Sequence, residues 1–227
     1  VDTALVDDVV VLLLDPESGR PLTDATRLRA VVGGSVLLDL ALRGRLVAEP
    51  TRWGQDKVEV TDASPTGDDV LDHALQRLGT RRWAAASAVT RVVDQRVGRQ
   101  VRDRLAGRGA LRHTPGGVLR LARDHPAAPV RDPLVAALSD AVSGTREVPP
   151  RVLALVTLVH SVGAVPKVVP GLALPRKQLA ARVAKLSALL TEGEWAGPAV
   201  AAAVRSAQAA VTAAVTAGTV AATTAAG

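Results

Sequence analysis

The chain has 227 residues, enough to bury a sizeable core, and is 48% hydrophobic with no Cys, Met, Tyr or Phe and three Trp. The interior must therefore be Leu, Val and Ala, which favours packed helices over a sandwich, and disulfide, thiolate and cysteine-ligated metal chemistry are excluded. Its formal charge of +6 is concentrated: residues 77–123 hold twelve arginines against Asp94 and Asp103, a local +10, while the remainder is mildly acidic. Such asymmetry points to an anionic partner, nucleic acid or a lipid surface, with a merely solubilising surface as the plain alternative. No run reaches the roughly 18 apolar residues of a membrane-spanning helix, and no basic leader precedes a long apolar stretch at the start. A cytoplasmic protein with at most peripheral membrane contact is expected.

In chain order, residues 3–14 are almost continuously apolar after Asp7 and Asp8 and stop at a Pro/Gly turn over 15–19, so they read as a short buried helix or strand. A long helix follows, capped by Asp24 or Thr26 and running to Arg43, with Gly44 ending it. It is apolar on nearly every side, which places it centrally in the core. Gly33 and Gly34 inside it cost about 1 kcal/mol each relative to Ala, and close approach of another helix is the structural reason. Residues 45–48 and 57–61 alternate as a small hairpin. The polar run over 62–69 leads into a helix over 70–78, capped by Thr66 or Asp68; the ligand pattern of a Ca²⁺ loop is missing.

Residues 83–93 read as a helix leading into a basic amphipathic one. There, Val97, Val101 and Leu105 form one apolar stripe, with Arg96, Arg99 and Arg102 on the opposite side. Gly107 and Gly109 end it, and residues 110–113 and 118–122 flank Thr114-Pro-Gly-Gly117 as a hairpin. Residues 125–133 read as a loop and 134–142 as a helix. Pro149 and Pro150 open a buried apolar helix over 152–162, in which His160 is expected as a hydrogen-bonded core residue. After Pro166, Pro170 and Pro175, residues 179–190 are amphipathic with Arg182 and Lys185 outward. Trp195 starts a final Ala/Val helix that thins into a flexible tail at about 218–227. The expected architecture is a mostly α single domain over 1–227: a helical bundle with a central buried helix, short β segments and a protruding β-hairpin.

Catalytic signatures are missing. His73, His113, His125 and His160 are scattered without HxxxH or HExxH spacing, and there is no GxSxG elbow, GxxxxGK[ST] loop or GxGxxG after a strand. No enzyme activity, cofactor or metal is expected. Two binding modes remain for the basic stretch. As a winged helix, residues 96–105 would enter the DNA major groove with the hairpin as the wing. As a lipid surface, Arg99 and Arg102, one turn apart, would hold a phosphorylated headgroup while Val118, Leu119 and Leu121 enter the interface. A wing gains nothing from apolar tips, which leans toward lipid; a hairpin with an open edge could also join two copies of the chain.

Several stretches are more specific: residues 5–14 (LVDDVVVLLL), 38–46 (LDLALRGRL), 64–72 (SPTGDDVLD), 99–105 (RQVRDRL) and 153–160 (LALVTLVH). On these the chain resembles the Golgi phosphoprotein 3 family over nearly its whole length. The resemblance implies a non-catalytic, mostly helical peripheral membrane protein that recognises phosphatidylinositol 4-phosphate and helps retain glycosyltransferases. It places the family's paired headgroup arginines on Arg99 and Arg102 and its membrane-directed hairpin on residues 110–122, with Leu111, Val118, Leu119 and Leu121 facing the membrane. The other half of that pocket departs, because the family's tryptophan falls on Asp24 and a further arginine on Gly33. An aspartate repels phosphate; Arg20, Arg27 and Arg29 are the nearby candidates to compensate. Arg112, Arg120 and Arg123 bracket the hairpin, so docking should be more charge-driven, at about 1 kcal/mol per basic residue near an anionic surface. The expected function is docking on anionic membrane through Arg96, Arg99, Arg102 and the hairpin. An adaptor holding cytoplasmic tails of membrane enzymes such as glycosyltransferases comes second, and a nucleic-acid binder third.

Overall fold

The fold is built around helix α2 (Ala25–Leu42) in a computed structural model that describes residues 3–49, 56–114, 123–144, 148–172 and 174–192, with 202, 205, 206, 209 and 211–213. Asp24 starts α2 by accepting the amide of Arg27 at 2.9 Å, the expected cap. Every residue from Ala30 to Ala41 is buried, so beyond its first turn the helix has no solvent-facing side. Around it pack α1 (Leu5–Leu12), α3 (Asp69–Leu78), α4 (Ala85–Arg91) and α7 (Pro150–Ser161). The expected close approach is found on two sides. A Cβ on Gly33 would stand 2.2 Å from the carbonyl oxygen of Val89 on α4, and one on Gly34 would stand 2.1 Å from Val211.

After α2 the chain forms strands β1 (Leu46–Glu49) and β2 (Lys57–Val60), paired antiparallel with Leu46 opposite Val60. The sequence assigned residues 83–93 to a helix, but Trp83 and Ala84 form β3, which pairs with β2, and α4 starts only at Ala85. A short edge strand leaves backbone groups open, and an aromatic residue fits that position. Trp83 is held there by its indole N–H to the Leu78 carbonyl at 2.9 Å and by the guanidinium groups of Arg81 and Arg91, 4.9 and 4.3 Å from its ring.

Helix α5 (Gln95–Gly107) leads into strand β4 (Leu111–Thr114), which pairs with β5 (Arg123–Pro126) in the register Leu111 to Pro126 and Thr114 to Arg123. The return arm thus lies later than the expected 118–122. The amide of Ala127 closes the hairpin base on the Ala110 carbonyl at 2.9 Å, and this base sets the register. Residues 115–122, and with them Val118, Leu119 and Leu121, lie outside the described residues, as do Trp195 and the tail over 218–227. Helix α6 (Ala128–Ser143) begins where a loop was expected. Pro129 sits in its first turn, where an amide is not needed, and Pro133 removes one later hydrogen bond without ending the helix. Helices α8 (Val165–Val168) and α9 (Arg176–Glu192) follow, α9 packing on α7. His160 on α7 is half-buried rather than in the core. Burial pushes its pKa down, and among the described residues its ring makes no hydrogen bond.

Candidate anion-binding site

Three anchors fix the orientation of α5. Its apolar stripe is buried as expected, with Val97, Val101 and Leu105 inside the core. Asp94 caps the N-terminus by accepting the Val97 amide at 3.0 Å and reaches His73 Nε2 on α3 at 2.9 Å. Burial alone would raise the Asp94 carboxyl; the hydrogen bonds from Val97 and His73 outweigh it and hold its pKa at about 2. At the other end Arg104 donates from Nε to Asp7 at 3.1 Å and from a terminal nitrogen to Asp68 at 2.7 Å, tying α5 to α1 and to the cap of α3. Burial pushes Asp7 above the usual carboxylate range, against the pull of Arg104 and Arg108. Burial also opposes the Arg104 charge, yet Asp7 and Asp68 keep its pKa above the ordinary value.

The sequence reading missed this inner clamp and placed Arg104 in no role. A signal existed: adjacent acids inside an apolar run at Asp7 and Asp8 call for buried cations. Arg104 and Arg108 answer Asp7, and Arg151 answers Asp8 at 2.6 Å.

With one face and both ends fixed, the opposite face of α5 is left to solvent. Arg96 and Arg99 are exposed there and make no ion pair among the described residues. Arg102 is also exposed, at 59%, but its Nε meets Asp124 of β5 at 2.9 Å, and the same carboxylate reaches His113 Nδ1 at 2.8 Å. The pair expected to be free is therefore half committed to an internal carboxylate. Asp124 lies just past the basic window, where the charge count did not look. Arg112 at the hairpin base is exposed.

Beside Arg102 a cavity of about 340 Å³ opens between α1, α2, α5 and the hairpin base. The turn after α1 closes one side: Gly19, at φ +62°, packs so tightly on β5 that a Cβ there would stand 3.0 Å from Arg123 Cβ. The described residues contain no helix long and apolar enough to cross a membrane.

A family model described as Golgi phosphoprotein 3 (GPP34) matches residues 5–207. The chain belongs to the Golgi phosphoprotein 3 family. No curated protein matches it. In this Golgi phosphoprotein 3 member the matched residues run through every labelled element from α1 to α9.

The positions at which it departs from the expected pocket have definite roles. Asp24 is committed to capping α2 and lies 3.4 Å from Arg27, so Arg27 faces that carboxylate. Gly33 faces the backbone of α4, where the short approach to Val89 leaves no space for a side chain. Of the compensating candidates, Arg29 donates to the Val93 carbonyl at 2.9 Å, just ahead of the α5 cap. Arg20 is exposed in the turn between α1 and α2. Leu111 corrects the sequence reading. It sits at the hairpin base with 5% of its surface exposed, packed in the core and against the cavity rather than turned toward a membrane. Alternation along β4 sends its side chain inward and that of Arg112 outward.

Proposed function

We propose that the chain is a peripheral membrane protein that docks on anionic lipid headgroups through the outer face of α5 and the adjoining hairpin, acting by binding and not by catalysis. One observation carries this reading: Arg96 and Arg99 stand exposed, with no ion pair among the described residues, on a helix whose opposite face and both ends are fixed. The fixed helix sets where these two cations stand relative to each other, so no backbone has to be ordered when an anionic surface arrives and only side-chain rotamer freedom is lost. Arg102 contributes less than its exposure suggests, because Asp124 already holds one edge of its guanidinium. Arg112 extends the basic face onto the hairpin.

Flotation with phosphatidylcholine vesicles containing graded phosphatidylglycerol tests the reading. At about 1 kcal/mol per basic residue, the double substitution Arg96→Ala, Arg99→Ala should weaken binding by about 2 kcal/mol, roughly thirtyfold. Equal binding by wild type and double variant removes this face from the function. Tight duplex DNA binding with a steep salt slope, in place of vesicle binding, would favour the nucleic-acid reading.

A further inference from the structure

Docking through Arg96 and Arg99 leaves a histidine beside them without a role. His113 on β4 lies opposite Asp124 on β5, and its Nδ1 stands 2.8 Å from one oxygen of that carboxylate, whose other oxygen meets Nε of Arg102 on α5 at 2.9 Å. A carboxylate only accepts, so in the neutral ring Nδ1 carries the hydrogen and Nε2 keeps the lone pair. The His113 side chain is 57% exposed, and Nε2 has no partner among the described residues, so it is open to a proton from solvent. The neighbouring charges turn away. Alternation along the two strands places Arg112, Arg123 and His125 on the other side, His125 with its Nδ1 3.3 Å from the Pro16 carbonyl. His113 is thus faced by Asp124 from β5 and, across that carboxylate, by Arg102 from α5. With a neutral imidazole the three side chains sum to zero, Arg102 against Asp124. A proton on Nε2 raises the sum to one positive charge and sets two cations against one carboxylate.

We propose that His113, Asp124 and Arg102 make the docking face pH-sensitive, protonation of His113 adding a positive charge beside α5 so that binding to an anionic bilayer tightens as the pH falls below neutral. Histidine is the side chain whose charge ordinarily changes between about pH 5 and 8. The imidazolium takes a share of the Asp124 carboxylate, which loosens its hold on Arg102 and adds that guanidinium to the exposed basic face. The linkage is reciprocal: a surface that binds the protonated chain more tightly also favours the proton on His113. The proposal rests on the docking reading and supplies its regulation.

Flotation of the whole chain with phosphatidylglycerol vesicles, whose phosphodiester stays ionised, tests this at about pH 7.5 and about pH 5.5, on either side of the ordinary histidine value of about 6.5. One added positive charge near an anionic bilayer strengthens binding roughly fivefold, so the wild type should gain at least that factor on acidification. His113→Gln keeps a hydrogen-bonding side chain that takes up no proton in this range, and should lose that factor. His113→Lys is charged at both values; it should bind at the higher pH roughly fivefold more tightly than wild type and lose the same gain on acidification. The full wild-type gain in His113→Gln, or His113→Lys binding no tighter than wild type at the higher pH, overturns the proposal. Wild-type binding that does not change with pH also overturns it, and in all three cases docking itself stands. Absence of vesicle binding by all three proteins at both pH values contradicts docking, and the pH response with it.

Discussion

Replacing Arg104 with Met should destabilise the protein more than any other single arginine substitution on α5. Asp7 has 1% of its side chain exposed and is held by Arg104 at 3.1 Å from Nε, and by Arg108 at 3.2 Å. Removing Arg104 leaves a buried carboxylate with only Arg108, which is 46% exposed and so well screened. Breaking a buried pair costs about 3–5 kcal/mol, and the surviving Arg108 contact places this case near the lower end, about 3 kcal/mol. For a domain of this size that is a fall in Tm of about 6–12 °C at about 2–4 °C per kcal/mol. The double variant Asp7→Leu, Arg104→Met removes both charges together and should recover most of the loss. The pH dependence has a definite sign. Burial raises the Asp7 carboxyl above its ordinary 3.8, so its protonated form is favoured in the folded state. That contribution is present at low pH and lost as pH rises through the raised value, so the deficit of Arg104→Met should narrow on acidification. Urea unfolding followed by circular dichroism measures all three proteins. A single variant within about 1 kcal/mol of wild type, or a double variant as unstable as the single one, would refute the clamp; the scale for comparison is the roughly 0–1 kcal/mol of exposed pairs.

Gly33→Ala should destabilise by about 1–3 kcal/mol through overpacking, because its Cβ would stand 2.2 Å from the Val89 carbonyl oxygen; a thermal melt decides. Asp124→Asn should free Arg102 and strengthen vesicle binding by about 1 kcal/mol, roughly fivefold, in the flotation assay. Asp94 is held at about 2 against an ordinary 3.8. Its stabilisation is present above about pH 3.8 and lost as pH falls toward 2, so Asp94→Asn should flatten that part of the acid-unfolding curve.

The helices that could be read from the sequence were those whose local chemistry and packing agree. Asp24 and Gly44 bracket α2, and the Gly33-Gly34 pair announced the contacts with Val89 and Val211. The stripe of Val97, Val101 and Leu105 likewise set which face of α5 carries its arginines. Contacts between distant segments left no such trace. Asp124 pairs with Arg102 only because β5 returns beside α5, and Trp83 joins a strand because β2 offers it an edge. Arg104 sits in the same basic run as Arg99, and only the fold separates a cation that holds the core from one turned to solvent. The cavity is a product of assembly too. Val10, Leu28 and Val101 each read as ordinary core residues until three helices and a hairpin base meet around them.

The central claim, that the arginine face of α5 meets the bilayer, is tested most directly with site-directed spin labels, since the sequence has no cysteine of its own. Gln95 is exposed one turn before Arg99 on the same face, and Lys185 is exposed on α9. With a nitroxide on Gln95→Cys, phosphatidylglycerol vesicles should slow the label and shield it from a water-soluble relaxant, whereas Lys185→Cys should give an unchanged spectrum. Vesicle-bound protein with the label at 95 still mobile and water-accessible, or with shielding at 185 instead, would contradict the claim.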